Sequence, residues 1–145
     1  MRNGRGNSRK KIPHGSVAVP HAADIKKTVR IRVPTLPFEK MTRVVLGPRY
    51  ELSLVVCGDK LARAINTKYR HKTYAANVLS FPLGRDEGEI FLNARAAERE
   101  ARKYGISVSA RLALLFVHGL FHLKGLIHGD KMEAEERKIL KRFGF

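Results

Sequence analysis

The chain has 145 residues, 43% of them hydrophobic and 29% charged, which fits one domain with a single sizeable core and excludes a disordered composition. It carries 29 Lys and Arg against 13 Asp and Glu, a formal net charge of +16, so its surface draws polyanions, nucleic acid first among them. The only cysteine, Cys57, excludes an intrachain disulfide, and the twelve uncharged residues between Arg111 and Lys124 are too few to span a bilayer.

Residues 1–25 mix Gly, Asn, Ser and Pro with basic side chains. Within the first eleven, Arg2, Arg5, Arg9, Lys10 and Lys11 face no acid, the composition of a flexible basic arm that adds to the affinity for a polyanion. No apolar run follows this start, so no secretory signal is expected. The remainder, 26–145, is expected to form one domain. "TVRIRV" (28–33) alternates with period two and predicts a strand, and "PFEKMTRVVLG" predicts a helix between Pro37 and Gly47. "YELSLVV" (50–56) predicts a second strand, in which Cys57 follows as a buried, inert thiol, and "DKLARAINTKYR" (59–70) a helix. "NVLSFPL" (77–83) and "EIFLN" (89–93) predict two short strands joined by the turn "GRDEG".

After Asn93 the pattern is helical. Ala94, Ala97, Ala101 and Tyr104 share one face, with Gly105 as the stop. Ser107 or Ser109 then caps a strongly apolar helix through His118 and His122. A last helix follows Asp130, for which Glu133 offers a capping box, with Met132, Leu140 and Phe143 as its apolar stripe and Ile139 nearby. Strands come first and helices last. The expected fold class is therefore α+β, a small mixed sheet packed with helices and a helical C-terminal half.

Residues 118–128 read "HGLFHLKGLIH". A helix turns about 100° per residue, so His118 and His122 lie on one face, one turn apart, and can chelate one divalent ion. His128 would lie about 240° round an unbroken helix, on the wrong side. It can join them only if the chain breaks and returns, and Gly125 is where a left-handed break costs least. Three histidines with a fourth position open to water is the catalytic zinc arrangement, so one Zn²⁺ per chain is expected on His118, His122 and His128. The spacing is also that of the metzincin proteases, but their catalytic glutamate is here Gly119, so peptide hydrolysis loses its usual base.

These residues resemble the YbeY family, bacterial single-strand metallo-endoribonucleases also called rRNA maturation factors. The signature His-Gly-x-x-His-Leu-x-Gly-x-x-His is matched by His118, Gly119, His122, Leu123, Gly125 and His128. "NTKYRHK" and "NVLSFP" are similar to two upstream family segments, and Glu133, Ala134 and Glu135 to the acidic start of its last helix. The chain departs from the pattern at Leu126 and Ile127, where the family has Tyr-Asp, and at Leu114, where it often has another histidine. The resemblance implies a zincin-like α+β fold, a bound zinc and a cytoplasmic location. It also implies cleavage of single-stranded RNA in processing the 16S rRNA 3′ end and in ribosome quality control. It further implies a catalytic role for Arg70, whose guanidinium offers a bidentate fork to phosphate. Small-subunit rRNA and the ribosome are the expected partners, with no membrane and a monomeric state. The alternative is a non-catalytic rRNA-binding assembly factor in which the metal only staples loop to helix. Glu89, Glu133 and Glu135 are the candidates for a general base.

Overall fold

A computed structural model describes residues 23–145, and the basic residues at positions 1–22 lie outside that range. The elements run β1 (Ala23–Lys27), α1 (Phe38–Leu46), β2 (Glu51–Cys57), α2 (Asp59–Arg70), β3 (Val78–Gly84), β4 (Glu87–Asn93), α3 (Ala94–Tyr104), α4 (Val108–Lys124) and α5 (Asp130–Arg142). The sheet order is β1-β2-β4-β3. β1, β2 and β4 run parallel, and β3 pairs antiparallel with β4 at one edge. Pro82 and a register irregularity between Pro82 and Gly84 sit on that edge, where a missing N–H costs no ladder bond. The α+β expectation holds.

Alternation along the strands divides the molecule. Leu52, Leu54, Val56, Ile90 and Leu92 face the main core, where α1 and α4 meet them. Phe38, Met41, Thr42 and Val45 of α1 recur at helical spacing on its buried face. The Phe38 and Phe116 rings meet edge-on with centroids 4.8 Å apart. Val55, Cys57 and Phe91 point to the opposite face and pack with Ala62 of α2. Burial pushes the Cys57 thiol up to about 11, so it stays protonated and unreactive near neutral pH. No single helix among the described residues is long and apolar enough to cross a membrane.

Three local expectations are corrected. Residues 28–33 form no strand; pairing lies earlier, in β1, which straddles the boundary expected at 25/26. The Thr28 N–H adds one backbone bond to Val56 O (2.9 Å), then the chain leaves the sheet. The period-two signal had another cause. Val29, Ile31 and Val33 pack against the core from an extended segment while Arg30 and Arg32 stay exposed, so alternation reports one-sided burial without a ladder. Tyr104 does not join the buried alanine face of α3; it is exposed, with the Arg111 guanidinium 4.9 Å over its ring. Nor does Asp130 cap α5: the cap position is Gly129, with no side-chain capping bond, and Asp130 is the first helical residue.

Candidate metal centre

Helix α4 positions the first two imidazoles. Ser107 starts it by accepting a hydrogen bond from the Ala110 N–H (3.0 Å), and Gly125 ends it in the left-handed region at φ 102°. The Gly125 N–H bonds back to His122 O and the Leu126 N–H to Phe121 O, both at 3.0 Å. Leu126 packs against the core behind this turn, which fixes the direction of the returning loop. His128 is thereby delivered to His118 and His122. The three ring centroids lie 4.6–4.7 Å apart, and one ligating atom from each imidazole falls within 4.8 Å of the others.

This donor set fits a divalent cation. The Nε2 atoms of His118 and His122 are 3.1 Å apart. Two nitrogens bound tetrahedrally at ~2.05 Å would be separated by ~3.3 Å. Burial first, then the neighbouring His118, His128 and Arg70, push the His122 pKa down. The neutral imidazole, the form that ligates, is therefore favoured at this position.

A residue that the sequence reading missed lies behind His118. Its Nδ1 is 2.5 Å from Glu136 Oε2, and Glu136, from α5, is only 7% exposed. A carboxylate on Nδ1 holds the proton there and leaves Nε2 free to ligate, the usual arrangement of an orienting carboxylate behind a metal-bound histidine. No sequence signal marks it. Glu136 is 18 residues from His118, and only the packing of α5 on α4 joins them. Ile127, where the family pattern places an aspartate, is 83% exposed. The carboxylate in this centre thus comes from a different element.

The histidines open into a cleft of about 620 Å³, walled by Val78 and Ser80 of β3, by Leu114 and Leu115 of α4, and by two arginines, Arg70 and Arg111. Arg70 is the last residue of α2. Just beyond it, His71 turns left-handed at φ 59°, donating its N–H to Thr67 O. The loop that follows is tied back to α2 by Asn66 Nδ2 to Tyr74 O (2.9 Å), Thr67 Oγ1 to Lys72 O (2.7 Å) and Arg63 Nε to Thr73 O (3.2 Å). These bonds fix the helix end from which Arg70 reaches the cleft. Of the candidate bases, Glu89 lies on the opposite sheet face beside Ser53, where burial raises its pKa. Glu135 pairs with Lys138 at 3.2 Å. Neither lines the cleft, and nor does Glu133; the carboxylate that does is Glu136.

The place of the metzincin glutamate also has a structural explanation. A Cβ built on Gly119 would lie 2.9 Å from Ser80 Oγ and 3.2 Å from both Ile90 Cδ1 and Val78 Cγ2. Helix α4 rests on β3 and β4 at this residue, and the Ser80 hydroxyl donates to the Gly119 carbonyl at 3.0 Å. There is no room for a side chain.

Known proteins resemble this chain over most of its length. The family model described as Endoribonuclease YbeY matches residues 21–144. A Geobacter metallireducens protein named Endoribonuclease YbeY is 37% identical over 110 residues, covering 70% of this chain and 73% of the relative. A Xylella fastidiosa protein of the same name is 37% identical over 135 residues, covering 79% and 84%. The solution structure of the Thermotoga maritima protein TM1509 superposes with a TM-score of 0.60 at 17% identity, covering 83% of this chain and 89% of that one. That likeness supports the fold.

Proposed function

The chain belongs to the YbeY family of endoribonucleases, and on that premise we propose that it is a zinc-dependent, single-strand-specific endoribonuclease in maturation of the 16S rRNA 3′ end and in ribosome quality control. Its setting in this reading is the cytoplasm, its partners are small-subunit rRNA and the ribosome, and it works as a monomer. The observation that carries the reading is one cleft containing both the three imidazoles and the Arg70 guanidinium.

His118, His122 and His128 would hold the metal, which when bound supplies Lewis-acid charge at a phosphoryl oxygen or an activated water. The protein's own groups do the rest. Glu136 holds the proton on His118 Nδ1 and fixes the ring. Arg70 binds the scissile phosphate through paired N–H donors and stabilises the charge that develops in the transition state. Leu114 and Leu115 add apolar surface to the wall of the cleft. The five basic side chains among the first eleven residues add to the affinity for RNA.

The test is cleavage of single-stranded RNA by protein of measured metal content, with and without chelator, alongside two Arg70 variants. Arg70→Lys keeps the charge but loses the fork. Arg70→Ala should lower single-turnover cleavage by ~10²-fold or more, the scale of losing one transition-state donor, with metal content intact. RNA binding without chelator-sensitive cleavage would favour the non-catalytic assembly factor instead. Variants of Arg70 that cleave at the wild-type rate would remove it from the mechanism.

A further inference from the structure

The cleft contains a second guanidinium that the chemistry above does not use. Arg111 is seven residues before His118, so on α4 it occupies the same face about 10 Å further up the axis. Its side chain is only 17% exposed. Two groups pin it: Nε donates to Glu100 Oε1 at 2.8 Å, and the guanidinium plane lies 4.9 Å over the Tyr104 ring. Glu100 is held in turn by Asn77, whose Nδ2 donates to it at 3.2 Å. Arginine has five N–H donors, and Glu100 takes the one on Nε. Among the described residues no protein group accepts from Nη1 or Nη2. A cation whose orientation is fixed, whose terminal donors no described residue takes and which lines a cleft is arranged for an anion.

We propose that Arg111 forms a second phosphate subsite, which binds a backbone phosphate flanking the scissile one and so sets the register of single-stranded RNA across the metal centre. The inference rests on the nuclease reading for the identity of its ligand. Three features support a subsite apart from the metal. Arg111 is tethered to Glu100 and Tyr104 of α3, about 10 Å along α4 from His118. Leu114 and Leu115 line the cleft between it and the imidazoles, offering a surface for a sugar or base. The cleft volume of about 620 Å³ also exceeds the need of a lone phosphate and falls within the usual range for whole ligands. An ion pair that merely joined α3 to α4 would require Nε alone. It would give Arg111 no reason to line the cleft.

The experiment compares wild type with Arg111→Lys, Arg111→Gln and the double variant Glu100→Gln/Arg111→Gln, the last removing the carboxylate that the single change strands. Circular dichroism and metal content verify that each is folded and loaded. Cleavage kinetics are measured on a single-stranded oligoribonucleotide, and binding by anisotropy on its 2′-O-methylated counterpart. In both, each phosphate in turn is replaced by an uncharged methylphosphonate. The glutamine variants should raise KM and Kd ~10-fold, the scale of one charge-assisted hydrogen bond, while kcat falls by less. Their log–log salt slope should shrink by about 0.7, the value for one phosphate on a single strand. Neutralising one particular linkage beside the scissile position should weaken wild type by a similar factor and leave the glutamine variants unaffected. A loss spread evenly over all linkages, or no loss, would overturn the subsite. Position-specific coupling in binding with no cleavage by wild type would instead overturn the nuclease reading and leave the subsite standing.

Discussion

Glu136 gives the sharpest test of how the centre is built. Its carboxylate is nearly buried and lies 2.5 Å from His118 Nδ1, on an element that contributes no ligand. Replacing it acts on the metal only through the orientation and tautomer of His118. Loss of such a partner typically weakens metal binding 10–100-fold, about 1.4–2.7 kcal/mol. Glu136→Ala removes the acceptor entirely and should fall at the upper end. Glu136→Gln retains an oxygen that can accept from Nδ1–H but carries no charge, so it should recover much of the loss, to about 10-fold or less. The alanine variant also strands a half-buried imidazole nitrogen, which should destabilise the apo protein by about 1–3 kcal/mol. Thermal melts of the apo forms and zinc affinity, measured by competition with a chromogenic chelator well below the melting range, separate the two effects. Wild-type affinity in both variants would show that His118 needs no partner. Equal impairment of both would assign the effect to packing of α5 and not to the hydrogen bond.

Three further outcomes follow from particular contacts. His122→Ala should abolish tight zinc uptake by the apo protein, whereas His71→Asn, at an exposed left-handed position that asparagine tolerates, should leave it intact; equilibrium dialysis decides both. Gly119→Ala gains helix propensity of about 1 kcal/mol but must displace Ser80, Ile90 and Val78 at overpacking costs of about 1–3 kcal/mol, so chemical denaturation should find it up to ~2 kcal/mol less stable. Asp59 is held down to about 2, from an ordinary 3.8, chiefly by its hydrogen bonds with Arg99. Its contribution should be present above about pH 4 and lost as the pH falls towards 2. Screening at this partly exposed pair keeps it below about 1 kcal/mol. The stability difference between wild type and Asp59→Asn, measured against pH, should therefore vanish at the acid end; a constant difference across the range would refute the linkage.

What could be read from the sequence was what neighbouring residues decide among themselves. The limits of α2 at Asp59 and Arg70 follow from periodicity and terminal chemistry, and the helix has those ends. The break at Gly125 could be deduced because three imidazoles can meet only if the helix stops there, and the backbone does turn left-handed at that residue. Features decided by distant parts of the chain were not legible. β1 is mostly exposed and charged, with only Ala23 buried, so its pairing with β2 leaves no hydrophobic pattern to detect. The alternation at 28–33 was genuine burial, but periodicity cannot distinguish an extended segment lying on a core from one in a ladder. Tyr104 continues the alanine stripe by spacing, but it stays exposed, with the Arg111 guanidinium of α4 against its ring.

The candidate site divides along the same line, and the division bears on its chemistry. His118, His122 and His128 occupy eleven residues and announce themselves. The groups that hold or complement them come from α2, α3, α5 and the edge of the sheet, and of these only Arg70 was marked, through the segment "NTKYRHK" and its likeness to the family. Gly119 shows why the local motif alone would mislead. Its ligand spacing is shared with proteases that place a carboxylate at this position, yet a side chain here meets Ser80, Val78 and Ile90. Helix α4 sits too close to β3 and β4 for that residue to be anything larger without moving the helix, and moving it would shift His118 and His122 as well. The spacing of the three histidines therefore suits a metal, while the depth at which their helix is seated on the sheet leaves no space for the protease's base. What the cleft offers in its place is a pair of arginines, the complement of a phosphate backbone and not of a peptide.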